Sequence, residues 1–394
     1  MSMDTLQWAR YDATGRWNVA LIDGVTYRRS LCGRVLTITS HPEGPDRFHE
    51  VTEIVASPEL HDRIRSWADA ALHAPVTVVG TSDAGADTAQ LALTRAATFD
   101  AERLETDARG FSSTYDGYPI VPPDRAQDLL LQSTVGCAHN ACTFCTFYHD
   151  TRFRVRPPRT FAHHIDSVRG YMGDALRWRR GIFLGDANPL TANPATFIRH
   201  LEMVRDAFAD LLTTPAEHAP GHPWHAPSHA VRTFCDAFNT VTRSVDELSA
   251  MARLGLHRVY LGVETGSDEL LVFLRKPATS RSVLDVVERL HTAGIHVSVL
   301  LMTGVGGCTF ARRHFEETVD LVRRMNLRDG DAVVFSEFFS TPGSAYAERA
   351  QEEGVVPLTR SQCRRQMRAI MGELGLPQPN GVRVQMYDAR QILY

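Results

Sequence analysis

From Leu129 onward, short apolar segments alternate with amphipathic segments of helical period, and this alternation limits the possible folds more than any other feature. The predicted strands are LLLQSTV (129–135), GIFLG (181–185), AVRTFCD (230–236), RVYLGV (258–263), IHVSVLLM (295–302) and DAVVFSEF (331–338). The predicted helices lie near 160–172, 195–212, 245–254, 281–293 and 310–326. Alternating strands and helices form parallel sheets with right-handed crossovers. Six repeats over about 210 residues predict a partial (β/α)6 TIM-like barrel, an α/β fold, rather than a complete eight-unit barrel.

Two further parts flank the predicted barrel. Residues 1–115 contain short β-like runs, a helical stretch near 61–72 and a strand-like run at 75–80, which together predict an accessory α+β domain. Residues 110–125 are rich in Gly, Pro and Ser and are predicted to form an extended linker. The expected domains are the N-terminal α+β domain at 1–115, the barrel at 119–345 and a helical C-terminal extension at 346–394.

Charge and hydropathy disfavour several classes of protein. The chain has 42 basic and 46 acidic residues, a net charge of −4, which gives no electrostatic reason to bind phosphate backbones. No apolar run approaches the roughly 20 residues of a membrane span, and the N-terminus lacks the apolar stretch of a signal peptide. We therefore expect a cytoplasmic protein without membrane contact, and we do not expect nucleic acid as a partner.

Three of the seven cysteines lie close together in the loop after the first predicted strand. The segment VGCAHNACTFCTFYHD spaces Cys137, Cys142 and Cys145 as C-x4-C-x2-C. Clustered thiols in a chain with an odd number of cysteines indicate metal or redox chemistry rather than disulfides. Three thiolates can bind three irons of a four-iron cluster and leave the fourth iron open. The alternative is a structural zinc site formed by the same cysteines and His149.

This spacing, its place after the first strand and the aromatic Phe144 resemble the radical S-adenosylmethionine (SAM) superfamily, with one residue more between the first two cysteines than is most common there. The resemblance covers about residues 119–345. Within the superfamily, this segment is similar to the Elp3, MiaB, NifB and HemN subgroups. It implies a [4Fe–4S] cluster on the three cysteines and SAM on the open iron. Reductive cleavage of SAM would yield a 5′-deoxyadenosyl radical that abstracts hydrogen from a substrate, with a flavodoxin or ferredoxin type of protein as electron donor.

Segments at later strand ends resemble SAM-binding motifs of the family. In FLGDANPL, Asp186 would accept the amino group of SAM. In YLGVETGSDELLVFLRKPAT, Glu264 would face the ribose hydroxyls or the amino group, and Lys276 or Arg275 the carboxylate. In VSVLLMTGVGG, Gly304 would let the backbone approach the adenine. The residues implied in SAM binding are therefore Phe144, Gly185, Asp186, Glu264, Arg275, Lys276 and Gly304.

Three residues are candidates for contact with the substrate or its radical. Cys235 and Cys308 are expected near the barrel mouth, where either could donate a hydrogen atom, although isolated cysteines are more often simply buried. Tyr148 follows the cysteine cluster directly. The segment 214–229 has four prolines and four histidines, and we interpret it as a surface loop, with a metal site as the alternative.

The predicted function is that of a radical SAM enzyme acting on a small molecule resembling a secondary metabolite, as an oxidoreductase, transferase or lyase. No second cysteine cluster and no Asp-x-His-x-x-Gly signature occur, so we expect neither auxiliary clusters nor cobalamin-dependent methyl transfer. Modification of tRNA or a peptide is one alternative. A non-catalytic, zinc-stabilised binding module is the other.

Overall fold

The computed structural model of the chain describes residues 6–43, 46–74, 83–117, 119–213, 230–377, 381–391 and 394. The strand predicted at 75–80 and the histidine-containing loop predicted at 214–229 lie outside the described residues. In the parts of the chain that are described, every helix is too short or too polar to cross a membrane.

An antiparallel sheet of five strands forms the N-terminal part of the protein. Its strands are β1 (Trp8–Tyr11), β2 (Trp17–Ile22), β3 (Val25–Arg29), β4 (Val35–Glu43) and β5 (Asp46–Ile54), paired in sequence order. The helices α1 (Pro58–His73), α2 (Asp83–Ala97) and α3 (Ala101–Thr114) follow. Trp17 from the sheet and Ile64 and Leu104 from the helices share one small apolar core. The predicted α+β fold of this region is confirmed.

The predicted linker at 110–125 is wrong over its first residues, because residues 110–114 are the last turns of α3. Phe111 and Tyr115 are buried, and their rings stack with centroids 4.6 Å apart. The Tyr115 hydroxyl also donates to the Leu130 carbonyl at 3.0 Å. Burial of two aromatic rings against the barrel outweighs the weak helix propensity of Gly110 and the serines that follow it.

The strands of the second half of the chain are β6 (Leu129–Gln132), β7 (Thr134–Val135), β8 (Arg154–Val155), β9 (Ile182–Gly185), β10 (Val231–Asp236), β11 (Leu256–Glu264), β12 (His296–Thr303), β13 (Ala332–Glu337) and β14 (Arg383–Tyr387). Among the described strands, β7 and β8 pair only with each other. The other seven form one parallel sheet in the order β14-β13-β12-β11-β10-β9-β6. The predicted partial barrel is therefore confirmed. The C-terminal extension, predicted to be helical, also contains a strand, because β14 pairs with β13 and adds a seventh strand to the sheet.

The helices of this half are α4 (Pro158–Met172), α5 (Pro194–Ala207), α6 (Ala209–Thr213), α7 (Ala237–Thr240), α8 (Val245–Arg253), α9 (Asp268–Phe273), α10 (Ser280–Thr292), α11 (Gly307–Arg324), α12 (Ala345–Glu352) and α13 (Arg360–Glu373). Sequence signals explain where several of them begin. Ser244 and Glu247 form the predicted capping box at the start of α8, and Thr279 and Thr359 cap α10 and α13 in the same way. The three domain boundaries stay a prediction.

The N-terminal part contacts the barrel through buried charged groups. Arg16 donates to the Asp107 carboxylate at 2.7 Å and to the carbonyl of Tyr171, which lies in α4, at 3.0 Å. Its guanidinium also lies 4.6 Å from the centre of the Tyr171 ring. The amide of Leu31 donates to the carbonyl of Tyr394 at 2.9 Å. The N-terminal part is thus joined both to the first barrel helix and to the end of the chain.

Asp331 joins the amino ends of two barrel strands, and its replacement by asparagine is expected to destabilise the fold. Its fully buried carboxylate accepts from the imidazole of His291 and the amides of Val297 and Arg328, each at 2.9 Å, and from the imidazole of His296 at 3.3 Å. Burial raises the pKa of Asp331, but the imidazoles and amides lower it by more. We expect Asp331→Asn to lower the free energy of unfolding at pH 7 by about 2–3 kcal/mol.

Urea denaturation of both proteins between pH 3 and 8 tests this expectation. Because the folded-state pKa lies below the usual value of 3.8, the stabilisation is present above that value and is lost as the pH falls below it. The difference in the free energy of unfolding between the wild type and Asp331→Asn should therefore become smaller only at acid pH. Asp329→Asn, an exposed position in the same loop, is the matched control and should be neutral. Equal stability of the Asp331 variant and the wild type at pH 7 would contradict the prediction.

Candidate active site

The three clustered cysteines lie in the loop that follows β7, at the carboxyl end of the first barrel strand. All three are partly buried and form no disulfide. Asn140 organises this loop: its amide donates to the Cys137 sulfur at 3.4 Å, and its side chain donates to the carbonyl of Tyr148 at 2.8 Å. Asn140 has a φ of 43°, a left-handed conformation that asparagine tolerates better than most residues. This residue was not predicted from the sequence.

The segment after α9 holds the cysteine loop from the other side. The carbonyl of Arg275 lies 2.8 Å from the His139 imidazole, and the carbonyl of Leu274 accepts from the amide of Thr143 at 3.0 Å. The side chain of Arg275 is exposed, whereas that of Lys276 is buried. Of the two basic residues considered for the SAM carboxylate, Lys276 is therefore the one whose side chain lies inside the protein.

The cysteine thiols are electrostatically coupled to one another. Burial raises the pKa of Cys142 to about 12, with Lys276 acting in the opposite direction. Burial also raises the pKa of Cys145 to about 11, opposed by the amide of Phe147. Cys137 raises both values further. Thiols this difficult to ionise become thiolates when a positively charged metal centre binds them.

This donor set fits a four-iron cluster better than a single metal ion. Among the described residues, no group of three or more Cys, His, Asp or Glu side chains is arranged to hold one ion. His149, the fourth ligand in the alternative zinc site, has an exposed side chain. In a four-iron cluster each cysteine binds a different iron, so the three sulfurs need not meet around one point. The amide that donates to Cys137 also suits a cluster ligand, because hydrogen bonds to sulfur tune such clusters.

Asp186 lies just beyond the end of β9 and is 1% exposed. Its carboxylate accepts from the Gln132 side chain at 3.0 and 3.2 Å and from the amide of Gly136, next to Cys137, at 2.9 Å. Burial raises the pKa of Asp186 to about 7, while Gln132 and Gly136 oppose that shift. The imidazole of His164, in α4, accepts from the backbone amide of Gln132 at 2.9 Å. Gln132 therefore connects the first helix of the barrel to this carboxylate.

Gly185 precedes Asp186, and its surroundings explain why it has no side chain. A Cβ at this position would lie 3.0 Å from a methyl group of Leu130 on the neighbouring strand. Its carbonyl accepts from the hydroxyls of Ser133 and Thr134, each at 3.2 Å. The glycine thus allows β6 and β9 to approach closely where Asp186 enters the site.

Glu264 and Lys276 form an ion pair inside the site. Their oxygen and nitrogen atoms are 2.7 Å apart, and their side chains are 11% and 7% exposed. Burial lowers the pKa of Lys276, but Glu264 and Cys142 raise it by more, so the net shift is upward. The ammonium lies 5.9 Å from the centre of the Phe144 ring. A Cβ at Gly262 would come within 3.0 Å of both charged groups, so this glycine makes room for the pair.

The space beside Gly304 is occupied by α13. Gly304 has a φ of 83°, and a Cβ there would collide with the sulfur of Cys363. Its amide donates to the Gln366 side chain at 2.9 Å. The backbone at Gly304 therefore lies close to α13. Contact of Gly304 with adenine stays a prediction.

The three candidate catalytic residues are not brought together. Tyr148 is 5% exposed, and burial, followed by Asp186 and the thiols of Cys145 and Cys137, raises its pKa well above 10. Cys235 is 3% exposed and packs in the main apolar core. Cys308 is exposed on the first turn of α11. Tyr148 is therefore the candidate that shares the surroundings of Asp186 and the cysteines, and the catalytic roles of all three stay predictions.

One protein family has a model that matches this chain. Residues 131–322 match the model described as the radical SAM superfamily. The match includes the cysteine loop, Asp186, Glu264, Lys276 and Gly304. No curated protein sequence matches the chain.

Several solved structures are similar to this one at low sequence identity. The radical S-adenosylmethionine methyltransferase TsrM from Kitasatospora setae, with cobalamin and a [4Fe–4S] cluster bound, has 16% identity and a TM-score of 0.42 over 57% of this chain and 39% of that one. Coproporphyrinogen III oxidase (HemN) from Escherichia coli has 14% identity and a TM-score of 0.44 over 68% and 55%. Elp3 from Methanocaldococcus infernus has 15% identity and a TM-score of 0.39 over 57% and 51%. This chain therefore spans less than two thirds of each of these chains.

Proposed function

Because this chain is a member of the radical SAM superfamily, we propose that it abstracts a hydrogen atom from a small organic molecule. Enzymes of this class use a [4Fe–4S] cluster and SAM, and Cys137, Cys142 and Cys145 would hold the cluster here. When bound, the reduced cluster supplies the electron that cleaves SAM to methionine and a 5′-deoxyadenosyl radical. The observation that carries the proposal is three free, partly buried thiols in one loop beside two buried carboxylates and a buried ammonium.

The residues around the thiols have complementary tasks in this proposal. The Asp186 carboxylate would accept the ammonium of SAM, because an anionic acceptor strengthens such a hydrogen bond. Glu264 would accept from the ribose hydroxyls or the amino group. Lys276 would attract both the SAM carboxylate and the negative charge of the thiolate ligands. The buried surroundings of these groups exclude water, which strengthens each of these interactions.

A small substrate is favoured over tRNA or a peptide by the charge of the chain. A net charge of −4 gives the chain no overall electrostatic attraction to a nucleic acid backbone. We propose a flavodoxin or ferredoxin type of protein as electron donor and a role in substrate or partner binding for the N-terminal domain. All seven cysteines are free, which suits the reducing conditions of the cytoplasm.

Anaerobic reconstitution with iron and sulfide, followed by incubation with SAM and dithionite, tests the proposed chemistry. We expect a brown protein that absorbs near 400 nm and forms 5′-deoxyadenosine, measured by mass spectrometry. A fully loaded protein that forms none would contradict radical cleavage of SAM. The low-molecular-weight fraction of a cell extract should stimulate the reaction more than the macromolecular fraction does. The reverse result would favour tRNA or a peptide as substrate.

SAM binding is expected to weaken as the pH falls below 7. Burial raises the pKa of Asp186 to about 7, so the carboxylate that would bind the ammonium of SAM becomes protonated near that pH. The dissociation constant should rise about tenfold between pH 8 and pH 6, as the ionised fraction falls. Equilibrium binding of SAM to the anaerobically reconstituted protein measures this. Asp186→Asn should bind SAM weakly, with a dissociation constant that does not change with pH. A dissociation constant of the wild type that does not change with pH would refute the role of Asp186.

A further inference from the structure

A cavity of about 260 Å³ lies at the carboxyl ends of the last three strands of the barrel sheet. The final residues of β12, β13 and β14, which are Thr303, Glu337 and Tyr387, all line it. Helix α13 covers it with Arg364 and Met367. Because the carboxyl ends of parallel strands share one edge of a sheet, this cavity opens at the same edge as the cysteine loop, Asp186 and Glu264.

The charges around the cavity are balanced except at one position. Glu337 forms an ion pair with Arg360 at 3.3 Å, and Asp388 forms one with Arg390 at 2.7 Å. Arg364 also lines the cavity and is half-buried, but it makes no hydrogen bond or ion pair with any residue that the structure describes. Within the described part of the lining, its guanidinium is therefore a cation without an anionic partner.

The position of Arg364 is fixed and locally unfavourable. Arg360 and Arg364 are one helical turn apart, and like charges at this spacing weaken a helix. A capping box at Thr359 fixes the start of α13, and the contacts of Cys363 and Gln366 with Gly304 hold the helix against β12. A rigid helix thus presents an unpaired guanidinium to a cavity, at the expense of local helix stability. Such local conflicts are typical of binding sites.

We propose that this cavity binds the anionic end of the substrate, a carboxylate or a phosphate, through Arg364. This inference rests on the proposed function and specifies its substrate class as a small organic anion. A guanidinium can donate two parallel hydrogen bonds to either group. The side chains of Met367 and Met386 provide an apolar wall for the adjoining part of the molecule. The volume is slightly below that of most complete ligand pockets, so the cavity holds one end of the substrate while the rest extends along the sheet edge.

Benzoate, phenyl phosphate and the neutral benzamide are suitable probes for a cavity of this size. Titration calorimetry on the anaerobically reconstituted full chain should detect binding of at least one of the anions and no comparable binding of benzamide. We expect Arg364→Gln to weaken anion binding at least tenfold, since about this loss accompanies removal of a charged hydrogen-bond donor. Arg365→Gln is the matched control, because Arg365 is exposed and donates to Ser361 at 3.0 Å instead. Its affinity for the anions should equal that of the wild type.

Each outcome of this experiment decides a specific point. A preference for benzoate indicates a carboxylate substrate, and a preference for phenyl phosphate indicates a phosphorylated one. Benzamide binding as tight as that of the anions, or unchanged anion binding in Arg364→Gln, would overturn the inference. If that variant does not unfold cooperatively, Arg364→Lys decides instead, because it keeps the charge but not the two parallel donors, and affinity equal to that of the wild type would overturn bidentate recognition.

Formation of 5′-deoxyadenosine by the same wild-type preparation separates this inference from the proposed function. If the product forms but the anions do not bind at Arg364, the anion site is refuted and the radical chemistry stands. If the anions bind at Arg364 but a fully loaded protein forms no product, the proposed function is refuted instead.

Discussion

Cys142→Ala is expected to reduce 5′-deoxyadenosine formation at least about a hundredfold, because changes to residues that merely orient metal ligands already cost 10–100-fold. Cys142 is the middle thiol of the cluster motif and is electrostatically coupled to both other cysteines and to Lys276. Its loss leaves two thiols for a cluster that needs three protein ligands to remain bound with one open iron. Iron content and absorption near 400 nm should therefore fall together with product formation. Mass spectrometry and iron analysis on the same anaerobic preparation measure both.

Cys32→Ala is the control for this variant. Cys32 lies outside the barrel, where its sulfur is 3.0 Å from the hydroxyl of Ser30, so cluster content and product formation should match the wild type. Far-ultraviolet circular dichroism should show that both variants are folded. If Cys142→Ala keeps the absorption and the product yield of the wild type, Cys142 is not a ligand, and the assignment of the cysteine motif fails.

The barrel could be predicted from the sequence because its central strands are buried on both faces. Such strands read as short apolar runs, and every residue of β9 is buried. The last strand could not be predicted in this way, because Arg383 and Gln385 alternate with its apolar residues. The hydroxyl of Tyr387 donates to Gln385 within the strand and to Asp124, which is 263 positions away in sequence. Contacts of such long range leave no local pattern.

The candidate site was predictable only where its residues have a characteristic spacing. The cysteine motif and the carboxylates at strand ends have one. Asn140 and Gln132 belong to no such motif and act through hydrogen bonds, Asn140 within the cysteine loop and Gln132 to Asp186, 54 positions away. An asparagine in a loop is ordinarily interpreted as a turn residue. Gln132 did carry a signal, since it is a polar residue in the otherwise apolar, fully buried strand β6, and buried amides require partners.

The pair Glu264–Lys276 connects the fold to the site. Its members are twelve residues apart, on β11 and just after α9, so the ion pair fixes the segment that also holds the cysteine loop. The Cys142 thiol also raises the pKa of Lys276, whose ammonium lies 5.9 Å from the centre of the Phe144 ring. A buried pair adds little to stability compared with a well-packed apolar pair, but removing one partner is costly. The pair therefore serves mainly to place one positive and one negative charge beside the thiols.

Lys276→Met is expected to lower the free energy of unfolding by about 3–5 kcal/mol, because it leaves the carboxylate of Glu264 buried without its partner. The double variant Lys276→Met with Glu264→Gln should recover most of that loss, since neither remaining side chain carries a buried charge. Arg324→Met removes an exposed pair with Asp320 and should cost less than about 1 kcal/mol. Anaerobic urea denaturation of the apo and reconstituted proteins measures all three variants. If the single and double variants at the buried pair are equally destabilised, the loss comes from packing around residue 276, and the charge pairing has no measurable role.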